Sequence, residues 1–192
     1  MALNDDKKAN TEYKLHSLIS DRWSPRAFDG SALAKEEVMT ILEAARWSAS
    51  SMNEQPWRFV YGIKGTPAFD KILNTLMEGN VAWAQNAGAL VAVFGKEKFA
   101  YKDRPNRTWS FDLGLAVGNA VTQAFSMDIY AHQMGGVHLD KIGELTDEEG
   151  LTPYLAVAFG RMGDVNDLSD PLKERELNKR ERLALDTIAK EA

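Results

Sequence analysis

Residues 49–57 read Ala-Ser-Ser-Met-Asn-Glu-Gln-Pro-Trp, and this stretch decides how the chain is interpreted. It follows a helix-like pattern and precedes a strand-like one, yet it is dense in hydroxyl and amide side chains. Loops of this composition offer side-chain and backbone groups to a ligand. The side chains suited to that task are Ser50, Ser51, Asn53 and Gln55. They are equally suited to capping the backbone of their own loop, so the loop alone does not identify a ligand.

The size and composition of the chain predict one globular domain spanning residues 1–192. Its 192 residues are 44% hydrophobic and 27% charged, with a net charge of −5. This charge argues against non-specific nucleic-acid binding. No apolar run reaches the roughly 20 residues that a membrane helix needs, and residues 1–10 lack the apolar core of a signal peptide. We therefore expect a cytoplasmic protein with no nucleic-acid or membrane partner.

Several chemistries are excluded by what the sequence lacks. There is no cysteine, so a thiol nucleophile and thiolate metal ligands are ruled out. The three histidines do not stand at the spacing of a zinc-binding helix, and no G-x-S-x-G motif or phosphate-binding G-x-x-x-x-G-K-[ST] loop is present. We predict neither a metal site nor a catalytic side chain.

Apolar spacing and Pro/Gly positions predict alternating helices and strands. Gly79-Asn80 serves as the predicted stop of the third helix. The predicted helices are 11–20, 35–47, 66–78, 109–127 and 138–146. The predicted strands are 57–63, 89–94, 128–132 and 154–160, with a turn at 133–136 and a charged surface excursion at 96–106. Residues 164–192 read as a charged tail with too few apolar residues for a core.

The long helix at 109–127 contains Gly114 and Gly118, four residues apart. Each glycine costs about 1 kcal/mol relative to alanine inside a helix. Their presence indicates either close packing against another helix at a dimer interface or a helix in the centre of the core.

Two basic clusters are candidates for an anion site. Arg22, Ser24 and Arg26 stand at i, i+2 and i+4, so in an extended segment their side chains point the same way. Arg180 and Arg182 repeat the i, i+2 spacing near the other end of the chain. Arginine suits bidentate phosphate contacts, but each cluster taken alone also fits a solvated surface.

A glycine pair follows Met134. Gly135 and Gly136 permit a positive φ and a close backbone approach to a flat ligand, and they fit a plain tight turn as well.

Taken together, these motifs resemble those of FMN-dependent nitroreductases. The resemblance covers about residues 14–185. It is carried by RWSPRAF at 22–28, EAARWSASSMNEQPWRF at 43–59, GNVAW at 79–83, MGG at 134–136 and RER at 180–182.

The resemblance implies a three-layer α+β fold, in which helices flank a central mixed, mainly antiparallel sheet. It also implies an intertwined homodimer with FMN in the interface, contacted by both subunits. The tail, residues 161–192, would pack on the partner subunit.

The resemblance also assigns roles to individual residues of this chain. Arg22, Ser24 and Arg26 would hold the phosphate and ribityl region, with backbone contacts from Trp23, and Arg182 with Arg180 would close on the phosphate. Other implied contacts are those of Ser50, Ser51, Asn53 and Gln55, the first three from the other subunit, and those of Met134, Gly135 and Gly136, the glycines presenting N–H groups near flavin N5.

The implied activity is hydride transfer from NADH or NADPH, through FMN, to a small electron-poor acceptor such as a nitroaromatic or a quinone. The cofactor carries such chemistry while the protein orients it, which agrees with the lack of catalytic triads. Three alternatives stay open: reductive dehalogenation, reduction of an activated alkene, and a non-catalytic flavin-binding or flavin-processing protein.

Overall fold

A continuously apolar strand lies at the centre of the sheet. The computed structural model describes residues 7–101 and 104–192, and its sheet has the order β1-β2-β4-β3 with every neighbouring pair antiparallel. The strands are β1 Trp57–Ile63, β2 Ala89–Lys96, β3 Tyr130–Met134 and β4 Leu151–Gly160. The prediction of β1 is confirmed at both ends, and β2 and β4 contain their predicted strands.

The helices of the described residues surround this sheet. In chain order they are α1 Ser17–Ser20, α2 Lys35–Arg46, α3 Pro67–Leu73, α4 Glu78–Ala84, α5 Trp109–Ser126, α6 Leu139–Gly143, α7 Asp170–Leu177 and α8 Leu185–Ile188. Short 3₁₀ turns cover Ser51–Asn53 and Val165–Asp167. Within these described ranges no helix has both the length and the apolarity to cross a membrane.

The two faces of β2 bury separate hydrophobic clusters. Val91 and Val93 belong to a cluster that α2 and α5 complete. Leu90 and Phe94 belong to a cluster on the other face, which contains residues of α3, α4 and α6. Because successive side chains of a strand alternate between faces, this arrangement gives helix, sheet and helix layers. The predicted three-layer α+β fold is confirmed, and the described sheet is purely antiparallel.

The first predicted helix is wrong over most of its length. Only α1 is helical within residues 11–20, and Tyr13, Leu15 and Ile19 are exposed. A short helix needs an apolar face packed on something to be stable. Within one chain this stripe has no core beneath it.

The prediction of one helix over residues 66–78 is also wrong. Two helices occupy this region, and α4 starts where the stop was predicted. Leu76 forms an isolated bridge with Val137, and the Met77 N–H donates to the Gly136 carbonyl at 3.0 Å. The chain therefore leaves the helical path to pair with a distant segment, which local sequence does not encode.

The elements after α5 are displaced from their predicted positions. Asp128 takes a φ of 56°, and the Ile129 N–H still donates to the Ala124 carbonyl at 3.0 Å. Because of this geometry at the end of α5, β3 begins later in the sequence than predicted. Gln133 and Met134 therefore belong to the strand and not to the predicted turn. Helix α6 is also shorter than the predicted helix at 138–146.

The tail divides into two parts. Leu168 and Leu172 pack against the core of their own chain, and Glu176 is buried. The tail therefore contributes more residues to the core than predicted. Beyond residue 182 the large apolar side chains are exposed, with Leu183 at 70%. The contact with a partner stays a prediction, and it now concerns mainly this second part.

Candidate functional site

A cavity of about 240 Å³ lies where the N-terminal segment meets the tail. We call it the arginine cavity. Its lining contains seven basic side chains and one acidic side chain, so its net character is strongly cationic. The lining residues are Lys7, Arg22, Trp23, Ser24, Arg26, Arg175, Glu176, Asn178, Lys179, Arg180 and Arg182.

The cavity joins the two basic clusters that the sequence singled out. Arg22, Ser24 and Arg26 line it from one side, and Arg180 and Arg182 line it from the tail. The Arg22 Nη1 group donates to the Ser24 hydroxyl oxygen at 3.3 Å, which points both side chains into one space. Residues from opposite ends of the chain thus form one site.

Glu176 holds the backbone of the first cluster in place. Its Oε1 accepts hydrogen bonds from the N–H groups of Arg26 and Ala27 at 2.8 and 3.1 Å. Its Oε2 lies 3.9 Å from Arg26 Nη1, and the side chain is 1% exposed. A single buried carboxylate therefore connects α7 to the Arg22–Arg26 segment. This role was not predicted, because Glu176 lies in a charge run typical of an exposed helix.

His132 supports the same segment from the sheet. Its Nδ1 lies 2.9 Å from the Pro25 carbonyl oxygen, and its ring centre is 4.6 Å from that of Trp83. Burial lowers the pKa of His132 to about 4; nearby Arg26 and Arg22 act the same way, against the hydrogen bonds to backbone carbonyls. The neutral ring donates a hydrogen bond from its Nδ1–H group to the Pro25 carbonyl oxygen. Alternation along β3 could have placed His132 on an inward face.

The seven basic side chains that line the cavity face one acidic side chain, so the positive charge is not balanced within the described lining. Burial lowers the pKa of Arg22, and the positive charges of Arg180 and Arg182 lower it further. Burial also lowers the pKa of Arg180, with Arg182 adding to the effect and Asp21 opposing it. Like charges held together in a partly buried site favour an anion that would relieve their repulsion.

Arg180 has a structural task as well. Its Nη1 group donates to the carbonyl oxygens of Lys7 and Ser20 at 2.7 and 3.0 Å. The Lys7 ammonium group donates to the Asn178 carbonyl and lies 5.0 Å from the centre of the Trp23 ring. The N-terminal segment and the tail therefore close the cavity together. Sequence reasoning missed Lys7, because a polar N-terminus carries no periodic signal.

The loop of residues 50–55, here the Ser-Asn loop, has an unusual backbone. Met52, Asn53 and Gln55 have φ values of 55°, 54° and 51°. For a residue other than glycine this left-handed conformation costs of order 1–3 kcal/mol, less for asparagine, and such residues cluster at ligand sites. The sequence predicted the loop but not its strain.

Some polar groups of the Ser-Asn loop form hydrogen bonds with other groups of the same loop. The Gln55 N–H donates to Ser50 Oγ at 3.0 Å, and Gln55 Nε2 donates to the Asn53 carbonyl at 3.1 Å. The backbone-capping alternative is thus correct for Ser50. The Asn53 side chain is exposed and is not used in these contacts.

The glycine pair differs from the expected geometry. Neither Gly135 nor Gly136 has a positive φ, so that reason for glycine is wrong. The Gly136 carbonyl accepts hydrogen bonds from the Met77 N–H at 3.0 Å and from Asn80 Nδ2 at 2.9 Å. A Cβ atom at Gly136 would stand 2.7 Å from Asn80 Nδ2, whereas one at Gly135 would meet open space. A side chain at position 136 would therefore displace the Asn80 amide from its hydrogen bond to the Gly136 carbonyl.

The three groups of candidate residues do not meet within one chain. Among the residues that the structure describes, those lining the arginine cavity include none of the Ser-Asn loop and none of residues 134–136. Any ligand that uses all three groups needs surfaces beyond the cavity itself.

Comparison with known proteins identifies the family. The family model described as the Nitroreductase family matches residues 19–64. A crystal structure described as an oxidoreductase containing FMN is 41% identical, covers 95% of this chain and 94% of that chain, and has a TM-score of 0.90. The chain belongs to the nitroreductase family. The resemblance drawn from the motifs is therefore confirmed.

Two further proteins match this chain more weakly or over a shorter stretch. The Nitroreductase Family Protein from Streptococcus pneumoniae TIGR4 is 18% identical, covers 92% of this chain and 98% of that chain, and has a TM-score of 0.75, which concerns the fold alone. The Major NAD(P)H-flavin oxidoreductase of Aliivibrio fischeri is 41% identical over 49 residues, which are 23% of this chain and 22% of that protein.

Proposed function

We propose that this chain is an FMN-dependent oxidoreductase that passes hydride from NADH or NADPH to a small electron-poor acceptor. The arginine cavity carries the proposal, because it gathers the expected phosphate-binding side chains in a member of the nitroreductase family. The FMN-containing relative, 41% identical over nearly the whole chain, supports the choice of cofactor.

The chemistry of the cavity fits a phosphate group. Arg22 and Arg26 offer planar donor pairs, Ser24 offers a hydroxyl, and a phosphate dianion would reduce the repulsion that lowers the pKa of Arg22. Trp23 adds a further donor: its Nε1 is buried and has no hydrogen-bond partner among the described residues. A buried N–H group without a partner costs free energy, and a ligand oxygen that accepts a hydrogen bond from it would remove this cost.

The side chains therefore bind and orient the cofactor. When bound, FMN supplies hydride transfer at its N5 atom, first from NADH or NADPH and then to the acceptor in a ping-pong sequence. Arg22, Ser24, Arg26, Arg180 and Arg182 hold the phosphate end. No residue of the chain is proposed as a catalytic acid or base. Nitroaromatics and quinones are the proposed acceptors.

The Ser-Asn loop and the glycine pair form the other walls of the proposed site. Ser50, Ser51, Asn53 and Gln55 contact the ribityl chain and ring edge, and residues 134–136 present backbone groups to the ring. Because the Ser-Asn loop does not line the arginine cavity of its own chain, we assign it to the cavity of a second subunit.

Exposed apolar surface supports a homodimer. On α5, Phe111 is 67% exposed, and the positions of Gly114 and Gly118 face open space. The opposite face of α5, with Leu113, lies in the core, which agrees with the core-helix interpretation for that face. The dimer-interface interpretation of the exposed face stays a prediction. Contiguous exposed apolar surface marks interaction sites. We propose that α5 and the end of the tail within 161–192 pack on the partner of a single-domain subunit.

An anaerobic absorbance measurement tests the proposal. The purified protein should be yellow, or should become yellow when FMN is added. Addition of NADH or NADPH should then bleach the flavin absorbance band, and addition of a nitroaromatic should restore it. Protein that takes up no FMN would contradict the proposal. A flavin band that neither nucleotide bleaches would favour a non-catalytic flavin-binding protein. Restoration only by a haloaromatic or an activated alkene would favour the corresponding alternative activity.

A further inference from the structure

The strained backbone of the Ser-Asn loop needs an external restraint. Three of its residues are left-handed and none of them is glycine. Strain of this kind persists only where surrounding contacts over-determine the conformation. Contacts within the loop reach Ser50, Asn53 and Gln55, but they do not fix the loop to the rest of the protein.

Asp112 supplies the most deeply buried of the external contacts. It lies in the first turn of α5 and is 3% exposed. Its Oδ2 accepts a hydrogen bond from the Ser51 N–H at 3.1 Å and another from Thr108 Oγ1 at 3.3 Å. The N–H and Oγ1 of Thr108 donate to Asn106 Oδ1 at 3.1 and 2.9 Å. A chain of polar contacts, of which Asp112 and Asn106 are buried, therefore connects α5 to the start of the strained turn.

A second contact attaches the other half of the loop to the same region. Glu54 Oε1 accepts a hydrogen bond from the Ala100 N–H at 2.6 Å. Just beyond the loop, the Lys96 N–H donates to the Pro56 carbonyl at 2.8 Å. The loop is thus held at both ends by contacts with Lys96, Ala100 and Asp112, and Asp112 is the buried residue among these three.

A carboxylate at position 112 interacts favourably with the dipole at the start of α5, but it also has a cost of burial. Burying a charged group costs free energy unless its hydrogen bonds compensate, and an apolar residue at a buried helical position has no such cost. One of the two hydrogen bonds of Asp112 is made with the loop proposed to contact the flavin, and the other with Thr108. The first of these fixes the position of the Ser51 backbone.

We propose that Asp112 is a positioning residue that holds the Ser-Asn loop in its flavin-binding conformation. This inference rests on the proposed function. Because the loop contacts the ring and ribityl chain and not the phosphate, Asp112 acts on the part of the cofactor that FMN and riboflavin share.

The affinities for FMN and riboflavin, measured by quenching of flavin fluorescence, test this role. Asp112→Ala should weaken both ligands by the same factor, roughly tenfold, because one hydrogen bond to a charged acceptor is lost. Asp112→Asn keeps an acceptor oxygen for the Ser51 N–H and should restore most of the affinity.

A matched pair at Ser51 tests the same hydrogen bond from its other end. Ser50 has φ −147° and ψ 155°, the conformation that a following proline requires, and Ser51 opens a 3₁₀ turn. Ser51→Pro removes the N–H donor and leaves Asp112 in place, whereas Ser51→Ala removes only the hydroxyl. Ser51→Pro should weaken both flavins more than Ser51→Ala does. This pair also serves if Asp112→Ala does not fold.

Leu113→Ala controls for general destabilisation. Leu113 is fully buried next to Asp112 and belongs to the core, so its truncation should lower the melting temperature while leaving flavin affinity near that of the wild type. Unchanged affinities in Asp112→Ala, or an equal loss in Leu113→Ala, would overturn the positioning role alone. Wild-type protein that binds neither flavin would overturn the proposed function, and this role with it.

Discussion

The arginine cavity and the Ser-Asn loop are built on different physical principles. The cavity gathers residues from both ends of the chain on a backbone without left-handed residues, and its unfavourable energy is repulsion among partly buried cations. The loop is contiguous in sequence, and its unfavourable energy is backbone strain at Met52, Asn53 and Gln55. The cavity is therefore suited to binding a charged group, and the loop is suited to the shape of its ligand.

This difference separates the expected effects of changing each wall. Changes to the cavity should depend on the phosphate of the ligand and on salt, because they act through charge. Changes to the loop should affect phosphorylated and unphosphorylated flavins alike. Changes of Glu176, Arg22 and His132 test the cavity and a change of Met52 tests the loop, in order of decreasing expected effect.

Removing the carboxylate that holds the cavity should have the largest effect. Glu176→Ala leaves the N–H groups of Arg26 and Ala27 without their acceptor and removes the one negative charge among the cavity's cations. We expect the free energy of unfolding to fall by about 3 kcal/mol in urea titrations. Glu176→Gln keeps an acceptor oxygen and should lose less. Exposed Glu174 on the same helix is the control, and an equal loss in Glu174→Ala would contradict the assigned role.

Removing one cavity arginine should distinguish FMN from riboflavin. Arg22→Ala should weaken FMN roughly a hundredfold, because a partly buried charge-assisted contact to phosphate is lost, and leave riboflavin affinity nearly unchanged. Fluorescence titrations of both ligands measure the ratio. Arg107→Ala, which changes an exposed arginine outside the cavity, should change neither affinity. Equal losses of FMN and riboflavin in Arg22→Ala would show that the cavity does not bind the phosphate.

The histidine beneath the cavity should make stability depend on pH. The folded-state pKa of His132 is about 4 and the reference value is 6.5, so between these values the unfolded chain binds more protons. The contribution of neutral His132 to the free energy of unfolding is therefore fully present above pH 6.5 and is lost as the pH falls towards 4. This contribution is roughly 2 kcal/mol after allowing for partial exposure. His132→Asn keeps a donor for the Pro25 carbonyl without titrating. Its stability should fall less between pH 6.5 and 4; parallel profiles would exclude His132 as the cause.

Relieving strain in the loop should have the smallest effect and the opposite sign. Met52 is exposed with a φ of 55°, so Met52→Gly should leave stability unchanged or raise it by up to about 1 kcal/mol. Met39 is an exposed methionine inside α2, where the same change should cost about 1 kcal/mol. Thermal unfolding compares the two variants. A similar loss in both would mean that Met52 is not strained.

The sequence predicted elements whose signals are local. β1 and β2 followed from alternation and from a continuous apolar run, and α2 and α5 followed from helical periodicity. Elements that depend on distant contacts were mispredicted. The helix predicted at 66–78 is interrupted because Leu76 pairs with Val137, which no local pattern reveals.

The candidate site shows the same division. The arginine clusters were visible in the sequence because their members are close together, and the structure joins them in one cavity. The side chains that support them were not visible. Glu176 and Asp112 are acidic residues in ordinary helical surroundings, and their roles depend on burial against backbone N–H groups far away in sequence.

Subunit mixing tests most directly whether the two walls meet across a dimer. Arg22→Ala subunits lack a working cavity, and Asn53→Gly subunits lack the loop amide while keeping a left-handed backbone. In a symmetric dimer with shared sites, a heterodimer of the two has one site with both walls intact. We predict that mixing the two weakly binding homodimers restores tight FMN binding at one of the two sites of each heterodimer, which is about a quarter of all sites after random exchange of equal amounts. If heterodimers form and no tight binding returns, both walls belong to one subunit and the proposed shared site is wrong.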